Sequence, residues 1–192
     1  MRIFAQLYDR TLAWSAHRHA PWYLGVLSFA ESSFFPVPPD VMLAPMTLAR
    51  PERWWRFALI TTLASVAGGL LGYAIGYFAI EAVTPLLQRV GWWDGYLRAT
   101  ILYDEWGVWI VFLAGFSPIP YKVFTIASGA AAMALLPFAA ASLVGRGCRF
   151  FLVAALVRAV GPRIEPLLRR YIDLIGWLVV AAVLVAWLLL RG

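Results

Sequence analysis

The sequence predicts an all-α integral membrane protein. It reads as an inverted repeat of a re-entrant helical hairpin plus a transmembrane helix, with an extra C-terminal transmembrane helix. Three observations carry this. Of 192 residues, 62% are hydrophobic and 14% charged, where a soluble domain carries about a quarter charged. Two Pro-x-Pro breaks, Pro36-Val37-Pro38 and Pro118-Ile119-Pro120, interrupt apolar sequence 82 residues apart, and a charge follows each by two residues, Asp40 and Lys122. Proline stops a helix, lacking the amide donor and clashing with the preceding turn. A broken helix at membrane depth survives only inside protein or beside a wet cavity, and two breaks in matching halves point to a transporter-type site. The third observation is an asymmetry of arginines.

Residues 1–20 read as an amphipathic helix lying in the membrane interface, with Arg2, Gln6, Asp9 and His17 opposite Ile3, Leu7 and Trp14. They hold no clean apolar core, so they do not read as a secretory signal. Residues 21–80 form the first hairpin-plus-span repeat. Segment 21–49 is apolar but holds Pro36, Pro38, Pro39 and Pro45, with Glu31 and Asp40 inside. Neither half reaches the roughly 20 residues a crossing needs, which predicts a re-entrant hairpin with its tip at 36–40. Residues 57–80 carry no charge and are flanked by Trp54-Trp55, as a full span with an aromatic belt would be. Gly68, Gly72 and Gly76 recur every four residues on that span, reading as ordinary close helix packing.

Residues 81–105 are mixed and aromatic and read as an interfacial connector. Residues 106–157 repeat the design, with a first arm up to Ser117 of about 18 Å and a span over 137–157. Residues 158–171 read as a basic loop, and 172–190 as the C-terminal span. One crossing separates the hairpins, so the second enters from the opposite face. Ten arginines (Arg2, Arg10, Arg18, Arg50, Arg53, Arg56, Arg158, Arg163, Arg169, Arg170) then fall on one side and three (Arg89, Arg98, Arg191) on the other. This predicts a multi-pass membrane protein, amino terminus cytoplasmic and carboxyl terminus outside.

Intramembrane charges are costly and point to function by default. Five qualify: Glu31, Asp40, Lys122, Arg146 and Arg149. Asp40 fits either a helix N-cap or a functional carboxylate. Lys122 opposes the dipole of the helix it opens, so it needs a carboxylate or a phosphate; a salt bridge to Asp40 or Glu31 is the plain alternative. Glu31 suits a proton carrier, since a carboxylate drawn out of water holds its proton more tightly; hydrogen bonds to Ser32 or Ser33 are the other reading. Arg146 and Arg149 share a helix face. Their forks match phosphate or carboxylate oxygens, so they bind an anion or pair with Glu31 and Asp40. With helix N-termini at both tips, these side chains outline a mid-depth cavity for an anionic headgroup, the acyl chains staying in the bilayer.

The net charge of +6 sits beside apolar runs, against nucleic-acid binding. One cysteine, Cys148, excludes an internal disulfide. Both histidines, His17 and His19, precede the apolar segments, which speaks against an intramembrane Ser-His or metal enzyme. No cofactor or metal is expected. The partners implied are membrane lipids with a phosphate headgroup; a homo-oligomer stays open.

Glu31 and Phe34-Phe35-Pro36-Val37-Pro38-Pro39-Asp40, the Gly68/Gly72-Tyr73/Gly76 stretch, and Gly115-Phe116-Ser117-Pro118-Ile119-Pro120-Tyr121-Lys122 together resemble the DedA family. That family shares its domain with the eukaryotic VTT, or SNARE-associated, proteins. The resemblance covers roughly residues 20–160. It implies paired re-entrant hairpins and translocation of lipids such as undecaprenyl phosphate or phosphatidylethanolamine, with proton coupling. It also implies that Glu31 and Asp40 are the essential acidic pair and that Lys122 stands where a second arginine is usual. The usual first arginine is Phe116 here, as in a short, YqaA-like branch, and Arg146 or Arg149 is left to supply that charge. The expected function is a flippase- or scramblase-like lipid transporter. A small-ion or solute transporter and a non-transporting assembly factor remain the alternatives.

Overall fold

The computed structural model describes residues 15, 17–33, 37–91, 93–117 and 120–161. Most of the amino-terminal amphipathic segment, the tip residues Pro36 and Pro118, most of the basic loop and the span expected over 172–190 lie outside the described residues. Six α-helices occur within them: α1 Ala20–Ser33, α2 Asp40–Ala49, α3 Trp54–Arg89, α4 Trp93–Phe116, α5 Tyr121–Ala130 and α6 Leu135–Gly161. Among the described residues, three segments are long and apolar enough to cross a membrane: Pro51–Arg89, Trp93–Phe116 and Leu135–Gly161.

Prolines and one glycine punctuate the chain. Pro38 and Pro39 precede α2 and Pro120 precedes α5. Arg50 leaves α2 at φ −142° because it precedes Pro51, which disfavours helical backbone there. A single 3-10 turn, Pro51–Arg53, then leads into α3. Gly91 adopts φ 75° between α3 and α4, a left-handed turn that glycine makes without steric cost.

Residues 81–105, read from sequence as a separate connector, are helical almost throughout. They complete α3 and open α4 around the Gly91 turn. The charges Glu81, Asp94, Asp104 and Glu105 persuade the eye to end the spans there. They do not end the helices, because glutamate is a good helix former and an aspartate costs only up to about 0.7 kcal/mol. The first arm of the second hairpin is therefore 24 residues long, longer than the apolar stretch alone implies.

Helix α3 is the axis. Its serine and threonine row meets α1 in register: Ser28 donates to the Thr61 carbonyl at 2.7 Å, Ser32 and Ser65 share a 2.7 Å hydrogen bond, and Ser33 donates to the Gly68 carbonyl at 3.0 Å. The far half of α3 meets α5, with Gly69 against Tyr121, Gly72 against Thr125 and Gly76 against the Ile126 backbone. The glycine stripe is thus helix packing, and both partner helices use it. So α1 and α5 run parallel to α3, and the end of one meets the start of the other near the middle of α3. The turn after α5 is pinned by two tyrosines: Tyr73 of α3 donates to the Met133 carbonyl, and Tyr96 of α4 to the Ala130 carbonyl at 2.7 Å. Within that turn Ala132 sits at φ 51°.

Two apolar cores result. One joins Leu24, Leu43, Met46, Phe57 and Phe150; the other joins Val111, Tyr121, Met133 and Phe138. Helix α6 belongs to both, through Phe150 at one level and Phe138 at the other. Arg146 lies between those levels.

Candidate functional site

Arg146 is 1% exposed. A guanidinium cannot shed its proton to relieve burial, so every donor needs a partner. Its Nη2 donates to Glu31 Oε2 at 2.6 Å and Ser32 Oγ at 3.3 Å, and its Nε to Ser65 Oγ at 2.5 Å. The rings of Tyr121 and Phe150 lie 4.8 and 4.6 Å from the guanidinium carbon, adding cation–π attraction. Tyr121 is itself fixed by donating to Ser142 Oγ. Ser32 also donates to Glu31 Oε2 at 3.0 Å. One side chain of α6 therefore ties together α1, α3 and α5.

One turn along, Arg149 does the same for the tips. Its Nη2 donates to Asp40 Oδ2 at 2.6 Å, at the start of α2, and its Nη1 to the Ser117 carbonyl at 2.8 Å, just past α4. A single guanidinium thus bridges the two proline breaks. This pair is wetter than the first, with side chains 17% and 28% exposed. Asp40 does not cap α2: Pro39 holds the cap position with no side-chain hydrogen bond, and Asp40 is the first helical residue. Its second oxygen, Oδ1, is buried without a partner.

Lys122, the second residue of α5, is half-buried and forms no ion pair among the described residues. The salt bridge to Asp40 or Glu31 weighed from sequence is not made; the arginines take both carboxylates. Pro38 and Pro39 lie directly before Asp40, and Pro120 directly before Tyr121. Glu31, Asp40, Arg146 and Arg149 are brought together, with Lys122 beside the Tyr121 that stacks on Arg146. The two arginines answer the two carboxylates, which leaves Lys122 without an ion-pair partner among the described residues. Sequence reasoning passed over Ser65 and Tyr121. Ser65 was signalled by the row Thr61, Thr62, Ser65, hydroxyls placed on one side of a span.

Residues 36–159 match the family model of the VTT domain, the domain of the DedA family. This chain is a DedA-family protein. That family assignment makes it a multi-pass membrane protein, in keeping with the three long apolar helices among its described residues. Two relatives match it over its full length. An uncharacterized protein of Haemophilus influenzae is 45% identical over 192 residues, covering 100% of both chains. An uncharacterized protein of Histophilus somni is 44% identical over 191 residues, again covering 100% of both. No solved structure matches this DedA-family chain.

Proposed function

We propose that this protein carries a phosphate-bearing lipid across the bacterial cytoplasmic membrane, using the charged cluster as the headgroup site. The observation that supports this is the pair of bridges, Glu31–Arg146 and Asp40–Arg149, at the junction of two broken helices, with Lys122 in neither bridge. A buried pair is a poor stabiliser beside apolar packing, so its presence argues for use. Protonating a carboxylate releases its arginine. The freed fork, with Lys122, then donates to phosphate oxygens. Returning the proton restores the pair and expels the headgroup. On this reading Glu31 and Asp40 carry the protons, and Arg146, Arg149 and Lys122 carry the phosphate.

The same reading makes the first hairpin re-entrant; in the second only the 10-residue α5 is too short to cross, α4 having 24 residues. Helices α1 and α2, 14 and 10 residues long, extend about 21 and 15 Å, short of a hydrocarbon core of about 30 Å. Both ends of the first hairpin then lie on the cytoplasmic side with the amino terminus. Cysteines placed at Arg2 and Arg50 on a Cys148→Ala background should be labelled from one side; labelling from opposite sides would sink the re-entrant arrangement.

The decisive assay is reconstitution into liposomes with a headgroup-labelled phosphatidylethanolamine. Transfer between leaflets should exceed that of protein-free vesicles and should be lost in Glu31→Gln. Equal transfer in protein-free vesicles would refute the proposal, and transport of a water-soluble phosphate in place of lipid would reassign the substrate.

A further inference from the structure

Two apolar grooves flank α3, one on each side of the charged cluster. The first, about 460 Å³, lies between α1 and α3 and is walled by Trp22, Gly25, Val26, Phe29, Ile60 and Ala64. The second, about 550 Å³, runs along the other half of α3, walled by Leu70, Tyr73, Ala74, Tyr77, Phe78 and Leu135. Ser65, which holds Arg146, marks the level of the charges. Ala64 and Ile60 lie about 2 to 8 Å to one side of that level, and Leu70 to Phe78 about 8 to 20 Å to the other, at 1.5 Å per residue. The charges thus stand between one groove on each half of α3. Ile60, Ala64, Ala74 and Phe78 fall on one stripe of α3 by helical spacing. Exposed Ala67 and Leu71 continue that stripe between them.

From this we infer that the grooves are acyl-chain berths, occupied by the tails of the lipid whose headgroup visits the cluster. The inference rests on the function proposed above and deepens it: the substrate is a lipid with hydrocarbon tails, and not a free anion. The positive charge of Lys122 complements a phosphate at mid-depth, while apolar walls on both sides complement tails that trail into either leaflet. Because α1 and α5 both lie along α3, tails can slide along the exposed stripe as the headgroup passes the bridges inside. Neither groove is closed by a side chain that must move. At Gly25 an added Cβ would meet only Ile60, at 3.6 Å. A side chain added there starts without a clash at its Cβ and projects from the wall of the first groove.

The test uses the full chain in vesicles of phosphatidylethanolamine and phosphatidylglycerol, with a trace phospholipid carrying a photoreactive diazirine in its tail. Adducts are mapped by mass spectrometry of peptides. Val26 and Leu113 are both 60% exposed, but Val26 lines the first groove and Leu113 lines neither of these two, so they form an internal control. Labelling at Trp22 and Val26, and at Tyr73 and Phe78, should exceed that at Leu113 and Leu152 several-fold. Gly25→Phe should remove labelling from the first groove alone, and Ala74→Phe from the second alone; each should also slow leaflet transfer. Glu31→Gln should stop transfer yet leave both labelled sites intact. Labelling that simply follows exposure, with Val26 equal to Leu113, overturns the berths even if lipid transfer is intact. Groove labelling in a protein that transfers no lipid supports the berths and overturns the transport reading instead.

Discussion

Replacing Arg146 by methionine tests the central pair directly. Methionine keeps much of the length and apolar stem but removes the donors to Glu31, Ser65 and Ser32. Glu31, 14% exposed, is left with Ser32 alone. Breaking a buried pair this way costs about 3–5 kcal/mol in other proteins. Arg146→Met should therefore lose about 3 kcal/mol, about two decades in the folding constant. Adding Glu31→Gln removes the stranded charge, and the double variant should lose only about 1 kcal/mol, the scale of a lost hydrogen bond. Denaturant titration of the purified protein in bicelles measures both. A double variant no better than the single one, or an Arg146→Met loss no larger than that of the double variant, would refute the reasoning.

Three further outcomes follow from the same geometry. Asp40→Asn should abolish lipid transfer while the protein remains expressed and inserted, because the amide oxygen still accepts from Arg149 but cannot titrate; normal transfer would return Asp40 to a structural role. Lys122→Gln should weaken transfer of phosphate-bearing lipids, read in the liposome assay, and change stability by no more than about 0.5 kcal/mol, the range of substitutions that break no buried partnership. Gly76→Ala should reach the upper end of the roughly 1–3 kcal/mol typical of overpacking, since its new methyl would meet the Ile126 backbone, whereas at Gly72 it meets the Thr125 hydroxyl, which can turn away. Comparable unfolding midpoints for the two alanine variants would contradict that distinction.

The site residues were legible because charge is rare in apolar sequence and each charge there must be explained. Proline spacing placed Asp40 and Lys122 at matching points, and the i, i+3 spacing put Arg146 and Arg149 on one face. What remained illegible was choice of partner. Glu31 and Arg146 are 115 residues apart, and local physics gives either arginine an equal claim on either carboxylate. Only the parallel register of α1 on α3, set by serines and glycines, brings Glu31 level with Ser65 and so to Arg146. The N-cap reading of Asp40 failed for a related reason, since a distant guanidinium outbid the local amides. The helical run through 81–105 was missed because hydropathy reports where a helix could leave the membrane and is silent on whether it ends.

The tyrosine-pinned turn after α5 sets how that helix can travel. Two hydroxyls from different helices hold the carbonyls of Ala130 and Met133, so the trailing end of α5 is a fulcrum. Its leading end, with Tyr121 and Lys122, is the far end of a lever of 10 residues, about 15 Å long. A swing of about 10° about that fulcrum carries the tip roughly 2.6 Å at that length. This would take the Tyr121 ring off the Arg146 guanidinium while leaving the far end of the helix where it is. Rotation, and not sliding, is the freedom this anchoring leaves.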